Sequence, residues 1–376
     1  MPNKQILLIS RNMPPLIGGM ERLMQNTANI LDKHYSVTVI APKGASAHLP
    51  DHIHVHELPT SPIFFILLSI PLALWLAGKT KYHLVIGGSG VMAPVIALVQ
   101  KIFKCRGVVF VHGLDIIANN AVYQAIFVRA LRHIDTLIAN SNNTKALAVA
   151  TGINESKIHI IHPGTNLPNI DKAKSREYLD QKYALQNKKI LLSVGRITPR
   201  KGLKEFVQNA MPALCQHDND IILLVAGDHP NQGLTKSAKL PTEIAAISFE
   251  LGIQDSIIFL GSISDDELSH CYAGADCLIF PLINIPGDVE GFGMVAIEAA
   301  AHGTPTIAFD EGGVSDAVVS GQSGHLIPAG KYDGITDALS QLLIKKEKDW
   351  ENACRSHAKS FSWANFGSAL LHILDA

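Results

Sequence analysis

Gln5-Ile-Leu-Leu-Ile-Ser10 leads into Pro14-Pro-Leu-Ile-Gly18-Gly19-Met-Glu-Arg22 and then into helix-length sequence over residues 20–33. An apolar run of strand length, a turn with paired glycines and a helix make one strand–turn–helix unit. The unit recurs along the chain. Further strand candidates lie at 36–41, 54–58, 83–87, 107–112, 136–139 and 157–161, with helical stretches over 91–103 and 121–132. A second series follows at 189–194, 221–226, 256–260, 277–280 and 305–308. Such alternation predicts an α/β fold of parallel sheets covered by helices on both faces.

A length of 376 residues suits two domains. The stretch 162–186 opens with Pro163-Gly164, holds Pro168 and turns polar, so the linker is expected there. The predicted division is 1–165 and 166–358, with a terminal helix over 359–376 packing back on the first domain. Two such domains would face each other across a cleft, with ligands at the carboxyl ends of the strands.

Hydrophobic content of 47% against 17% charged residues describes large buried cores and excludes disorder. A net charge of -1 gives no global reason to expect nucleic acid. The five cysteines lack metal or disulfide spacing and read as reduced thiols of a cytoplasmic protein. Met1-Pro-Asn-Lys4 before the first strand is too short for a signal peptide. Residues 63–77 are apolar almost throughout but contain Pro71 and fall short of a spanning helix. Two readings stand for 61–81: a helix packed into the core, or peripheral contact with the inner membrane.

The chemistry concentrates in a few loops. Glu290-Gly-Phe-Gly-Met-Val-Ala-Ile-Glu298 places two carboxylates eight positions apart, with a glycine-rich opening that becomes a helix between them. Open amides at a helix start favour phosphate and carboxylates favour hydroxyls, so the pair suggests a sugar nucleotide. Ser193-Val-Gly195-Arg196-Ile-Thr-Pro-Arg-Lys201-Gly202 follows a strand; an Arg fork and a Lys point charge suit a departing diphosphate. His112 precedes Gly113 at a strand's carboxyl end, where an imidazole can reach a bound hydroxyl or serve as a structural hydrogen-bonding group. Gly18-Gly19 and Asp310-Glu-Gly312-Gly313-Val-Ser-Asp316 are either close-approach loops or ordinary tight turns.

Other patterns fail. Gly88-Ser-Gly90-Val-Met-Ala93 fits a dinucleotide fingerprint, but the acidic residue expected about 20 positions later is missing. Gly78-Lys79-Thr80 ends like a P-loop, yet position 73 is Ala. His52, His54 and His56 alternate without the partners of a metal site.

Taken in order, these motifs resemble the retaining glycosyltransferases of the GT-B fold, family 4. The resemblance spans nearly the whole chain, and Glu290 with Glu298 matches that family's E-x7-E signature. It implies two Rossmann-like domains and transfer of a hexose from a nucleotide sugar, GDP-mannose or a UDP-hexose, to a hydroxyl of a glycan or lipid-linked acceptor. It also implies roles. Arg196 and Lys201 would hold the diphosphate, Glu290 the sugar hydroxyls and Glu298 the ribose. Gly291, Phe292, Gly293, Met294 and Val295 would offer donor contacts, Gly18 and Gly19 would approach the phosphates, and His112 would touch the transferred sugar. The catalytic set would be His112, Arg196, Lys201 and Glu290, with no metal or other cofactor required. His162-Pro-Gly-Thr-Asn166 departs from the family's usual Pro-Asn-Gly-Val-Asp. An epimerase of the same fold and a non-catalytic sugar-nucleotide-binding subunit are the alternatives.

Overall fold

Apolar runs five or six residues long, buried on both faces, suit the central strands of a parallel sheet. In the computed structural model, which describes residues 4–185, 188–228, 240–344 and 347–375, they build two such sheets. The chain divides into one unit of residues 1–164 with 363–376, and a second of 165–362. Residue 186, the expected end of the linker, and the extreme N-terminus lie outside the described residues.

The first unit carries β1 (Gln5–Ile9), β2 (Ser36–Pro42), β3 (His54–Leu58), β4 (Leu84–Gly87), β5 (Arg106–Val111), β6 (Thr136–Ala139) and β7 (Ile158–Ile160). They lie in the order β3-β2-β1-β4-β5-β6-β7, every pair parallel. Alternate residues of β1 face opposite cores. Leu7 and Ile9 pack beneath the helices Pro62–Lys79 and Ala93–Phe103, whereas Ile6 and Leu8 pack beneath Gly19–Asp32 and the terminal helix Trp363–Asp375. The terminal helix is fastened by Arg106, which donates to the carbonyls of Ile373 and Leu374 at 3.0 and 3.2 Å, and by the Lys4–Asp375 pair at 3.0 Å.

The second unit carries β8 (Lys189–Val194), β9 (Ile221–Ala226), β10 (Ile257–Gly261), β11 (Cys277–Phe280), β12 (Thr306–Asp310) and β13 (Gly324–Pro328). Their order is β10-β9-β8-β11-β12-β13, again all parallel. The edge strand β13 has no counterpart among the sequence candidates, because Gly324 and Pro328 bracket only three apolar or aromatic residues. The division between the units, at Gly164–Thr165, falls inside the stretch read as the linker, but that stretch is not all connection. A helix, Lys172–Tyr183, occupies most of that stretch, started by Asp171, whose carboxylate accepts from the Ala173 amide at 2.9 Å. It buries only Ser175 and Leu179, so its sequence has the polarity of a connection. All five cysteines are free thiols, four of them buried.

In both sheets the winding direction reverses once. In the first, β1 connects towards β2 and β4 towards β5; in the second, β8 connects towards β9 and β11 towards β12. The loops after β1 and β4, and those after β8 and β11, therefore diverge and leave a crevice at each switch point, the place where open α/β sheets bind ligands.

Candidate functional site

The second unit's crevice is built from the loops that follow β8 and β11. After Val194 the chain turns at Gly195, whose amide donates to the Ala226 carbonyl at 2.9 Å, and reaches the short turn Pro199–Lys201. That turn is locked to the loop after β11: the Ile283 amide donates to the Arg200 carbonyl at 3.0 Å. Gly202 makes the junction possible. Its φ is +65°, and a Cβ there would stand 1.9 Å from the Pro281 carbonyl oxygen, so any other residue would push the two loops apart.

The junction sets a four-charge cluster. Lys201 Nζ donates to Glu290 Oε2 at 2.7 Å, and Arg200 donates to the same oxygen and, through Nε, to Asp288 Oδ1 at 3.0 Å. These side chains keep only 15–27% of their area exposed. Burial by itself would raise the Glu290 carboxyl, but the Lys201 and Arg200 charges outweigh it and hold the group at about 2. Burial pulls the Lys201 ammonium down, with Glu290 opposing and the Arg200 and Arg196 charges adding to the fall. Burial also works against the Arg200 charge, yet Glu290 and Asp288 carry the guanidinium above its usual range. The ammonium of Lys201 also sits 4.5 Å from the centre of the Phe280 ring. Arg196 is exposed and forms no ion pair among the described residues.

The main chain at Glu290 is held from β12. Gly313 N–H donates to the Glu290 carbonyl at 2.9 Å, and Gly312, at φ +64°, approaches so closely that a Cβ would lie 2.6 Å from that oxygen. The second Gly-Gly turn thus supports Glu290. Beyond Gly293 the helix Met294–Ala301 begins, carrying Glu298 a turn inside it. Tyr272, buried on the neighbouring helix Asp265–Gly274, donates its hydroxyl to Glu298 Oε2 at 2.8 Å. The Tyr272 ring stacks on His302, whose imidazole burial lowers to about 4 and which donates from Nδ1 to the Glu298 carbonyl at 2.7 Å.

The first unit's crevice holds the other sequence candidates. His112 donates from Nε2 to the Gly88 carbonyl at 2.9 Å, and its own amide donates to Asp115 Oδ1 at 2.8 Å. Asp115 Oδ2 in turn accepts from the Gly90 amide at 2.7 Å. The Gly88-Ser-Gly90 motif is therefore the counterpart of the His112 loop. At Gly18-Gly19, the opening of the helix Gly19–Asp32, the Glu21 carboxylate folds back: it accepts from Asn12 Nδ2 at 3.0 Å and lies against Gly18.

Of the predicted residues, the structure brings Lys201 and Glu290 into direct contact and places Glu298 one turn inside the helix Met294–Ala301. Arg200, Asp288 and Tyr272 are the additions. All three were missed from sequence; the only signals for the first two were a doubled cation before Gly202 and a second carboxylate two positions ahead of Glu290. Tyr272 carried no such signal.

Residues 17–168 match the family model described as Glycosyltransferase Family 4, and residues 175–360 the model described as Glycosyl transferases group 1. The D-inositol 3-phosphate glycosyltransferase of Mycobacteroides abscessus is 31% identical over 242 residues, 63% of this chain and 51% of that protein. That of Corynebacterium urealyticum is 27% identical over 98% of this chain and 95% of its own length. The chain spans about half the length of the mycobacterial relatives it matches. Among solved structures, Anabaena HepE in complex with UDP superimposes with a TM-score of 0.80 at 19% identity over 99% of both chains. The sucrose-phosphate synthase of Thermosynechococcus elongatus does so at 0.79 and 20% identity over 98% of both. These likenesses establish the GT-B fold.

Proposed function

The two units belong to the Glycosyltransferase Family 4 and Glycosyl transferases group 1 families, and from that membership we propose that the chain transfers a hexose from a nucleotide sugar to an acceptor hydroxyl with retention of configuration. The observation that carries the proposal is the Arg200–Lys201–Glu290–Asp288 cluster at the switch point of the second sheet. Charge grows on the departing diphosphate as the anomeric bond breaks. Preorganised cations in a half-buried crevice stabilise it without a metal ion. Lys201, Arg200 and the exposed Arg196 are assigned to the diphosphate, Glu290 to hydroxyls of the donor sugar, Glu298 to the ribose and His112 to a hydroxyl of the transferred sugar. The leaving phosphate itself takes the acceptor's proton, which needs no further base.

HepE has been solved with UDP-glucose, which supports a UDP-hexose as the first donor to try, with GDP-mannose as its rival. A thermal-shift panel of UDP-, GDP- and ADP-sugars tests this. The true donor raises the melting temperature with concentration, by mass action on the folded state. No shift with any of them removes the donor assignment.

Tyr272 provides a finer test. Tyr272→Phe deletes a hydrogen bond to a charged group, about 1.5 kcal/mol, so nucleotide affinity falls about tenfold while kcat stays within a factor of two or so. Titration with the free nucleotide alongside steady-state kinetics measures both. Unchanged affinity would detach Tyr272, and with it Glu298, from the ribose.

A further inference from the structure

The helix Pro62–Lys79 is apolar around its whole circumference, yet among the described residues only one side of it is buried. Phe65, Ser69, Ala73, Leu76 and Ala77 recur at helical spacing and are buried against the first sheet. The opposite side presents Ile63, Phe64, Leu67, Leu68 and Trp75, with Phe64 60% and Trp75 52% exposed. Burial of a single large apolar side chain is worth about 1.5–3 kcal/mol, so five left in water on one stripe mark a surface that is covered in use.

The surroundings name the cover. Between Glu57 and Asp115 the sequence holds no acidic residue and five cations: Lys79, Lys81, Lys101, Lys104 and Arg106. The four lysines are exposed, and the topology gathers them. Pro62–Lys79 and its packed neighbour Ala93–Phe103 both run back towards the amino ends of the strands. Lys79 and Lys81 precede β4, and Lys101 and Lys104 precede its neighbour β5. Exposed Ile102 and Phe103 end the second helix beside them. At this basic end Lys79 Nζ lies 3.8 Å from the centre of the Trp75 ring, an amphipathic pair of the kind that sits at a membrane interface.

We infer that this face of the first unit lies on the surface of an anionic lipid bilayer, the apolar stripe entering the acyl boundary and the lysines meeting the headgroups. A protein partner of ordinary surface composition would leave four lysines to be neutralised residue by residue, whereas anionic headgroups do so collectively. The helix runs three residues beyond the 63–77 stretch that read as too short to span, and its 18 residues are long and apolar enough to cross a bilayer. One side is fixed to the sheet core, however, so it lies in the interface and does not span.

Sedimentation of the full chain with vesicles tests the inference. The protein pellets with phosphatidylcholine–phosphatidylglycerol vesicles, far less with phosphatidylcholine alone, and is released by high salt. Lys79→Gln with Lys81→Gln lowers the partition coefficient about thirtyfold, and Phe64→Gln with Trp75→Gln abolishes pelleting, while melting temperatures stay at the wild-type value. Failure to pellet, or pelleting that these variants do not alter, overturns the inference. So does loss of the apolar substitutions' effect to a concentration-dependent dimer, which would make a second copy of the chain the cover. The donor-induced thermal shift is read on the same variants, so the transferase reading and this one fail separately.

Discussion

Lys201→Ala lowers kcat about 10²–10³-fold while affinity for the intact nucleotide sugar moves only a few-fold, the loss expected when one preorganised charge is removed from a developing anion. The asymmetry comes from the ground state. In the free protein Lys201 is already paired with Glu290 at 2.7 Å, so a donor must compete for it and gains little net binding. As the sugar–phosphate bond breaks, charge on the diphosphate rises and the ammonium's attraction to it rises too. Folding survives the substitution, because Glu290 keeps its contact with Arg200 and Arg200 keeps Asp288. Titration of donor binding and single-turnover rates separate the two effects. Equal losses in both would leave Lys201 a binding group only.

The sheets were legible because their central strands are buried on both faces. Uninterrupted runs such as Ile221–Ala226 admit few other readings. Strand β13 escaped because an edge strand needs less apolar sequence, and the helix Lys172–Tyr183 escaped because it buries only two residues, Ser175 and Leu179, on one face. At the site, local motifs gave the right loops but not the pairing. Glu290 and Lys201 are 89 positions apart, and their contact depends on Gly202 admitting the Pro281 carbonyl and on Gly312–Gly313 holding the Glu290 main chain. The same long-range closure recruits Arg200, which sequence alone could equally leave in solvent. Exposure of the Pro62–Lys79 stripe was undecidable from composition, since an all-apolar helix looks the same with one side covered or two.

Glu290→Gln drives two measurements in opposite directions. The cluster holds two cations and two carboxylates, and the amide keeps the side chain's shape while deleting one negative charge. Arg200 and Lys201 then face only Asp288, so a nucleoside diphosphate no longer displaces an internal anion, and its dissociation constant falls about tenfold, roughly 1.4 kcal/mol. Turnover falls about 10–100-fold, because the proposed hydrogen bond from a sugar hydroxyl to a charged acceptor becomes a neutral one. The wild-type carboxyl, held at about 2, stays ionised through the neutral range, so changing pH within that range does not reproduce the variant. Calorimetric titration with the nucleoside diphosphate and steady-state rates on the same preparation give both quantities. A merely structural glutamate would weaken diphosphate binding and turnover together. Tighter binding with slower turnover is the signature of a carboxylate that occupies the phosphate-binding cations until the donor arrives and then turns to the sugar.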